Sequence, residues 1–285
     1  MNRLANRVQE KDEISERAEY PHQALIGFKT PESIEWIAGG SIISSRFILT
    51  ASHVTQLGRG GKPSSIAVGV KNMSDTISYN GLPWQIVKVK FIAKHPSYKL
   101  FPRIHDIALI KTETQIEFNE NVLPACLDVT GVDITDAVAT TWDDITQRKT
   151  VSDTIQTVTN IAPFSKEKCY DDMNTTVEVC LVSNSSLSHM SWGYSGEPLL
   201  INSLYSSCPY IIVGVTSIPL EANPLRSKYE MTAVVFTKIS MFVPWIEKIV
   251  WAGDKNTKNS GNRHFKVTFI YLLMLIYIYN LQWWN

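Results

Sequence analysis

Apolar residues in this chain come in short runs and not in long helical stripes. The runs EWIAGGSIISSRFILTA, QIVKVKFIAKH, DIALIKT, PYIIVGVTSI and AVVFTKI are mostly bounded by Gly, Pro, Asn or Ser, the punctuation of β-strands. In QIVKVKF, Val87, Val89 and Phe91 alternate with Lys88 and Lys90, which predicts a strand with one wet face. IIVGV has no polar alternate and suits a strand buried on both sides. One stretch reads as helix, SMFVPWIEKIVW, with Ser240 as the expected cap and Ile246, Ile249 and Val250 recurring at helical spacing behind Pro244. Many strands followed by one terminal helix predict an all-β domain, closed into barrels or sandwiched. There is no internal repeat.

Both ends depart from this pattern. A charged leader (1–18) precedes the long domain (19–252), and a polar spacer with an apolar tail follows it (253–285). The start, MNRLANRVQEKDE, lacks the apolar stretch of a signal peptide, so either the chain is truncated at its front or it is not exported. The apolar run from Val267 to Tyr279 is shorter than the roughly 20 residues a spanning helix needs. Small residues at Asn259-Ser260-Gly261 ahead of it resemble a weak lipid-anchor signal, and an extension foreign to the mature protein explains the tail equally well.

Composition narrows the function. With 285 residues, 44% of them hydrophobic and 19% charged, the chain has the make-up of an ordinary globular protein. Lysine plus arginine and aspartate plus glutamate balance at 27 each, which argues against a nucleic-acid partner. Cys126, Cys169, Cys180 and Cys208 are too few and too widely spaced for a cysteine-dense scaffold, admit one or two disulfides, and show no zinc-site spacing. Acceptor sequons at Asn72, Asn174 and Asn184 favour secretion and glycosylation.

Three peptides carry candidate chemistry: TASHV with His53, HDIALI with Asp106, and GYSGEP with Ser195. Taken singly, a histidine in a turn, an aspartate at a strand boundary and a serine between glycines are ordinary. Together, in the order histidine, acid, serine and separated by 53 and then 89 residues, they are the parts of a hydrolase that activates a serine through an imidazole.

The strings AEYPHQALIGF, GGSIISSRFILTASHV, HDIALIK, PACL, SGEPLL, GVTSI and FVPWIEKIVW resemble the chymotrypsin/trypsin family of serine proteases, and within it the arthropod clip-domain type, from about Glu19 to Trp251. The resemblance implies two packed antiparallel six-stranded β-barrels with a C-terminal helix, and an active site in the cleft between the barrels. It implies that Ser195 is the nucleophile, His53 the general base and Asp106 the carboxylate that orients the imidazole. The backbone amides of Gly193 and Ser195 would form the oxyanion hole, and Ser217 would support the acid. No cofactor is implied. The implied partners are a protein or peptide substrate and other proteases or inhibitors of an extracellular cascade, around a monomer.

Departures from the family pattern are as informative. Where relatives carry Gly-Asp-Ser-Gly-Gly-Pro, this chain reads Gly193-Tyr194-Ser195-Gly196-Glu197-Pro198, so the aspartate that pairs with a cleavage-generated α-amino group is missing. The Ile-Val-Gly-Gly segment that supplies that amine is missing too. Ala38 and Val54 replace one cysteine pair of the family, whereas Cys169 and Cys180 keep the positions of another and are expected to bond; Cys126 stays free or finds Cys208. In the specificity pocket the resemblance places His189 where trypsin-like members have aspartate, and Pro219 and Val234 where they have wall glycines. Two readings of different class follow: a serine endopeptidase of altered specificity, and a catalytically silent homologue that works as an extracellular binding module or cascade cofactor.

Overall fold

The apolar runs fold as strands. In the computed structural model, residues 18–57, 61–70, 84–134, 137–142, 155–163, 173–183, 195–203, 208–220 and 233–251 are described. Six strands come first: β1 (Gln23–Lys29), β2 (Ile34–Ser44), β3 (Phe47–Thr50), β4 (Pro63–Val68), β5 (Gln85–Lys94) and β6 (Ala108–Thr112). They close a barrel in the order β1-β2-β3-β6-β5-β4, with every pairing antiparallel. Ile26, Ile42, Ile48, Leu49, Ile66, Leu109 and Ile110 are fully buried in it.

The predicted alternation of β5 holds only in its first half. Val87 is buried and Lys88 exposed, but the register against β6 slips between Val89 and Phe91, and a slip of one residue turns side chains to the other face. Phe91 is therefore exposed. It meets the edge of Phe47 with ring centroids 6.3 Å apart, and the Lys111 ammonium sits over both rings.

Seven further strands follow: β7 (Cys126–Leu127), β8 (Ala137–Trp142), β9 (Ile155–Pro163), β10 (Glu178–Ser183), β11 (Pro198–Asn202), β12 (Tyr210–Leu220) and β13 (Ala233–Lys238). They form one sheet in the order β11-β8-β9-β10-β13-β12-β7, and β11 also pairs with β12. That extra pairing joins six antiparallel strands into a second ring, with β7 as a short parallel addition to β12. The all-β architecture of two six-stranded rings is the expected one. IIVGV lies in the first half of β12, where Ile212, Val213, Gly214 and Val215 are buried as predicted and Ile211 is half-buried.

Polar contacts tie the rings together. Gln23 Nε2 on β1 donates to Thr140 Oγ1 on β8 at 2.6 Å, and Gly39 N on β2 donates to Ser195 O at 3.1 Å. Cys126 and Cys208 form a disulfide beside the β7–β12 pairing, which settles the fate of Cys126. Closing a loop of 82 residues is worth about 4.5 kcal/mol in the chain-entropy account. Cys180 is also disulfide-bonded; Cys169, its expected partner, lies outside the described residues.

The terminal helix starts differently from the expectation. Ser240 makes no capping hydrogen bond; a 3-10 turn (Ser240–Phe242) opens after Ile239, and Phe242 N donates to Ile239 O at 2.8 Å. α1 (Val243–Val250) follows with Pro244 in its first turn, where a missing N–H costs nothing. Ile246 is buried. The chain divides into units 1–246 and 247–285; among the described residues the second contributes the end of α1 and Trp251, whose N donates to Glu247 O at 3.1 Å. No helix among the described residues is long and apolar enough to cross a membrane. The tail from Val267 to Tyr279 lies outside them.

Candidate active site

The site begins at the end of β3. After Thr50 the chain turns through Ser52 into a 3-10 turn, His53–Gln56, where Thr55 N and Thr55 Oγ1 both donate to Ser52 O at 3.1 and 2.7 Å. Ser52 Oγ reaches across to Ile107 O at 2.7 Å, so the histidine turn is pinned to the residue that follows Asp106. The two side chains then meet: His53 Nδ1 and Asp106 Oδ2 are 2.6 Å apart, and His53 N donates to Asp106 Oδ1 at 2.8 Å.

Ser217 Oγ, on β12, donates to the same Oδ2 at 2.6 Å, and Thr237 Oγ1 donates to Asp106 O at 3.1 Å. Burial pushes the Asp106 carboxyl up, but the hydrogen bonds and charge of His53 and the Ser217 hydroxyl outweigh it and hold the group below its ordinary value. Asp106 is thus a carboxylate. A carboxylate only accepts, so Nδ1 carries a proton and donates, which in the neutral imidazole leaves the lone pair on Nε2. Nε2 is buried and has no hydrogen-bond partner among the described residues.

Ser195 opens the turn before β11 and is buried. Gly196 follows at φ +82°, and a side chain there would collide with Thr50 Oγ1, Gly39 O and Val54 Cγ2. This close approach sets the serine turn against the very residues that flank His53. On the other side Gly196 N donates to Thr216 O at 3.1 Å and Thr216 N to Glu197 O at 2.8 Å, which fixes the turn to β12 one residue from Ser217.

Glu197 is the anomaly of the site. Its side chain is buried, and any side chain at Gly39 would overlap its carboxyl. Burial raises the group well above its ordinary value, tempered by the nearby Gln23 amide. Yet Gln23 Nε2 is engaged with Thr140, and neither carboxyl oxygen of Glu197 has a hydrogen-bond partner of acceptable geometry among the described residues. Burial without a partner thus favours the protonated form of Glu197.

The hairpin leading into Asp106 was not apparent from the motifs. Lys99 and Ile104 exchange backbone hydrogen bonds at 3.1 and 3.2 Å, and His105 then takes φ +54° with its ring stacked on His95 at 5.4 Å and edge-on to Phe242 at 5.9 Å. Arg103 Nη1 donates to Ser217 O at 2.7 Å. The buried Tyr98 hydroxyl, without a partner among the described residues, is pushed up to about 12 by burial and by the Asp106 carboxylate, with Arg103 opposing.

Of the remaining predicted site residues, Gly193, Tyr194 and His189 lie outside the described residues. Pro219 pairs with Val234 in the β12–β13 ladder, and Val234 is buried in the second barrel's core among Leu199, Val213 and Phe236. Among the described residues no group of three or more His, Cys, Asp or Glu is arranged to hold a metal.

Two barrels that bring an imidazole, a carboxylate and a serine turn to one junction define a protein of the serine-protease architecture. The trypsin family model matches residues 10–246, and the chain belongs to that family. It is 26% identical over 246 residues to serine protease snk of Drosophila melanogaster, covering 81% of this chain and 54% of snk, so it spans about half the length of that relative. It is 28% identical over 243 residues to chymase of Cavia porcellus, covering 81% of this chain and 86% of chymase. The crystal structure of the Drosophila Grass clip serine protease of the Toll pathway has the same fold, with a TM-score of 0.66 and 21% identity over 80% of this chain and 68% of that one.

Proposed function

We propose that this trypsin-family chain is a serine endopeptidase of altered specificity. The observation that carries the reading is the state of His53. Its Nδ1 proton is committed to an ionised Asp106 while its buried Nε2 has no partner among the described residues. An imidazole so held is ready to take a proton.

In this mechanism Nε2 accepts the Ser195 Oγ proton as Oγ attacks the peptide carbonyl carbon. The imidazolium is stabilised by Asp106 and then returns the proton to the leaving amine. Water hydrolyses the acyl-enzyme by the same steps in reverse. The Gly193 and Ser195 amides would hold the oxyanion, each donor being worth roughly 3 kcal/mol. His189, Pro219 and Val234, which stand in place of family pocket residues, argue against efficient cleavage after basic residues. The substrate is a protein or peptide, the expected setting an extracellular cascade.

One observation favours the second reading, a silent binding module: Nε2 makes no hydrogen bond to Ser195 Oγ in this arrangement. Fluorophosphonate labelling before and after limited proteolysis separates the two. Labelling at Ser195 that disappears in His53→Ala is expected of the enzyme; a folded protein that takes no label is the binding module.

A further inference from the structure

Among the described residues, β12 has two neighbours only along part of its length. β11 pairs with it from Tyr210 to Val215, the turn at Gly196 and Glu197 extends that contact to Thr216, and β13 lines the opposite side as far as Leu220. Past Thr216 no described strand covers the side that β11 leaves, although the strand continues from Ser217 to Leu220. An open strand edge accepts an extended peptide, which adds to it by main-chain hydrogen bonds. This edge starts at the residue whose hydroxyl holds Asp106, so a peptide laid along it arrives at the His53–Asp106 pair.

The acceptor such a peptide needs is already occupied. The register slip between Thr216 and Ile218 leaves Ser217 out of the β13 ladder, and its carbonyl accepts Arg103 Nη1 at 2.7 Å instead. That bond is charge-assisted. Two residues on, the same side of the strand presents Pro219, which has no N–H to donate. The edge next to the triad candidates is therefore closed by one residue of the chain and blunted by another.

Arg103 is well placed to be a gate. The Lys99–Ile104 hairpin fixes its backbone three residues ahead of Asp106, its side chain is half-buried, and it makes no ion pair among the described residues. Asp106 itself is taken by His53 and Ser217. A guanidinium displaced from Ser217 O is thus left without an anion among the described residues.

We propose that Arg103 is a specificity-determining residue: it guards the Ser217 carbonyl and admits peptides that bring a carboxylate side chain to that point. Such a peptide pairs its own N–H with Ser217 O and offers the released guanidinium a planar, bidentate partner. A neutral peptide displaces the guanidinium and returns nothing. This rests on reading the junction as a peptide-binding cleft, and it applies whether or not the bound peptide is cut.

The test uses the full chain with Ser195→Ala, so that bound peptide persists, and fluorescein-labelled alanine octapeptides carrying Glu or Gln beside a central leucine, followed by anisotropy. The Glu peptide is expected to bind about tenfold more tightly than its Gln twin, a ratio that shrinks as NaCl is raised. Arg103→Ala is expected to bring the ratio to about one and to tighten the Gln peptide; Arg103→Lys, which keeps charge but loses the fork, falls between. Equal ratios in the presence and absence of Arg103, or no binding of either peptide to any variant, overturn the proposal. Fluorophosphonate labelling of the wild-type protein judges the hydrolytic reading separately. An unlabelled protein that still discriminates Glu from Gln through Arg103 removes the enzyme and leaves the gate.

Discussion

Two buried acids flank the serine turn, one from each barrel, and they are held in opposite states. Asp106 receives His53 N, His53 Nδ1 and Ser217 Oγ and stays ionised. Glu197 receives nothing among the described residues, and burial favours its protonated form. Burial is the same kind of cost for both, so it is the partner set that decides charge. The contrast assigns them different work: one orients an imidazole, and the other fills space against Gly39 as a neutral group. It also separates two parts of the site: a hydrogen-bonded network around Asp106 that draws on both barrels, and a serine turn that fits by close steric contact.

The largest effect on this contrast comes from removing the charge of the first acid while keeping its shape. In Asp106→Asn the amide NH2 faces His53 Nδ1, which must then accept, and the imidazole proton moves to Nε2, where it blocks proton abstraction. Fluorophosphonate labelling of Ser195 is expected to slow by about 10⁴-fold, or some 5 kcal/mol of barrier, with circular dichroism unchanged. A loss under about tenfold would mean that the Asp106–His53 pair does not activate the serine.

Each half of the site was legible in the sequence to a different degree. His53, Asp106 and Ser195 sit in local strings whose residue types and order carry the chemistry, and the apolar runs that became β3, β6 and β12 announced the strands that position them. Contacts made across the fold left no such trace. Arg103 meets Ser217 over 114 positions, and no motif joins a hairpin arginine to a strand carbonyl. Glu197 could be read as a departure from glycine, but its surroundings, Gly39 on β2 and the Gln23–Thr140 pair from β1 and β8, converge only after both rings close. The Cys126–Cys208 bond was left open for the same reason. Phe91 was misjudged because a register slip depends on the partner strand and not on the local alternation.

A second intervention strikes the steric half. Gly196→Ala forces a side chain to φ +82° and into Gly39 O and Thr50 Oγ1, both on the first barrel. The backbone strain costs about 1–2 kcal/mol and the collision about as much again, so urea denaturation should show a loss of roughly 2–4 kcal/mol. Labelling at Ser195 should fall in parallel, because the turn can relieve the clash only by moving away from Val54 and His53. Unaltered stability would show that the two barrels are not in contact at this turn.

The smallest effect sharpens the comparison most, because the two acids tilt stability in opposite directions with pH. Asp106, held below its ordinary value, stabilises the fold above the normal carboxyl range and loses that contribution as pH falls through its lowered value. Glu197, raised well above an ordinary value near 4.5, does the reverse. Below that value both folded and unfolded chains hold its proton. As pH rises, the unfolded chain releases the proton first, and the folded state loses stability until the raised value is passed. Glu197→Gln keeps the shape and cannot titrate. Wild type and variant should therefore melt together below about pH 4, while at pH 8 the variant should melt higher, each kcal/mol of relief appearing as about 2–4 °C. Every other titrating group, Asp106 included, is common to the two proteins and cancels in the difference. A constant gap between the two melting curves from pH 4 to pH 8 would mean that Glu197 finds a partner in solution and is charged like Asp106.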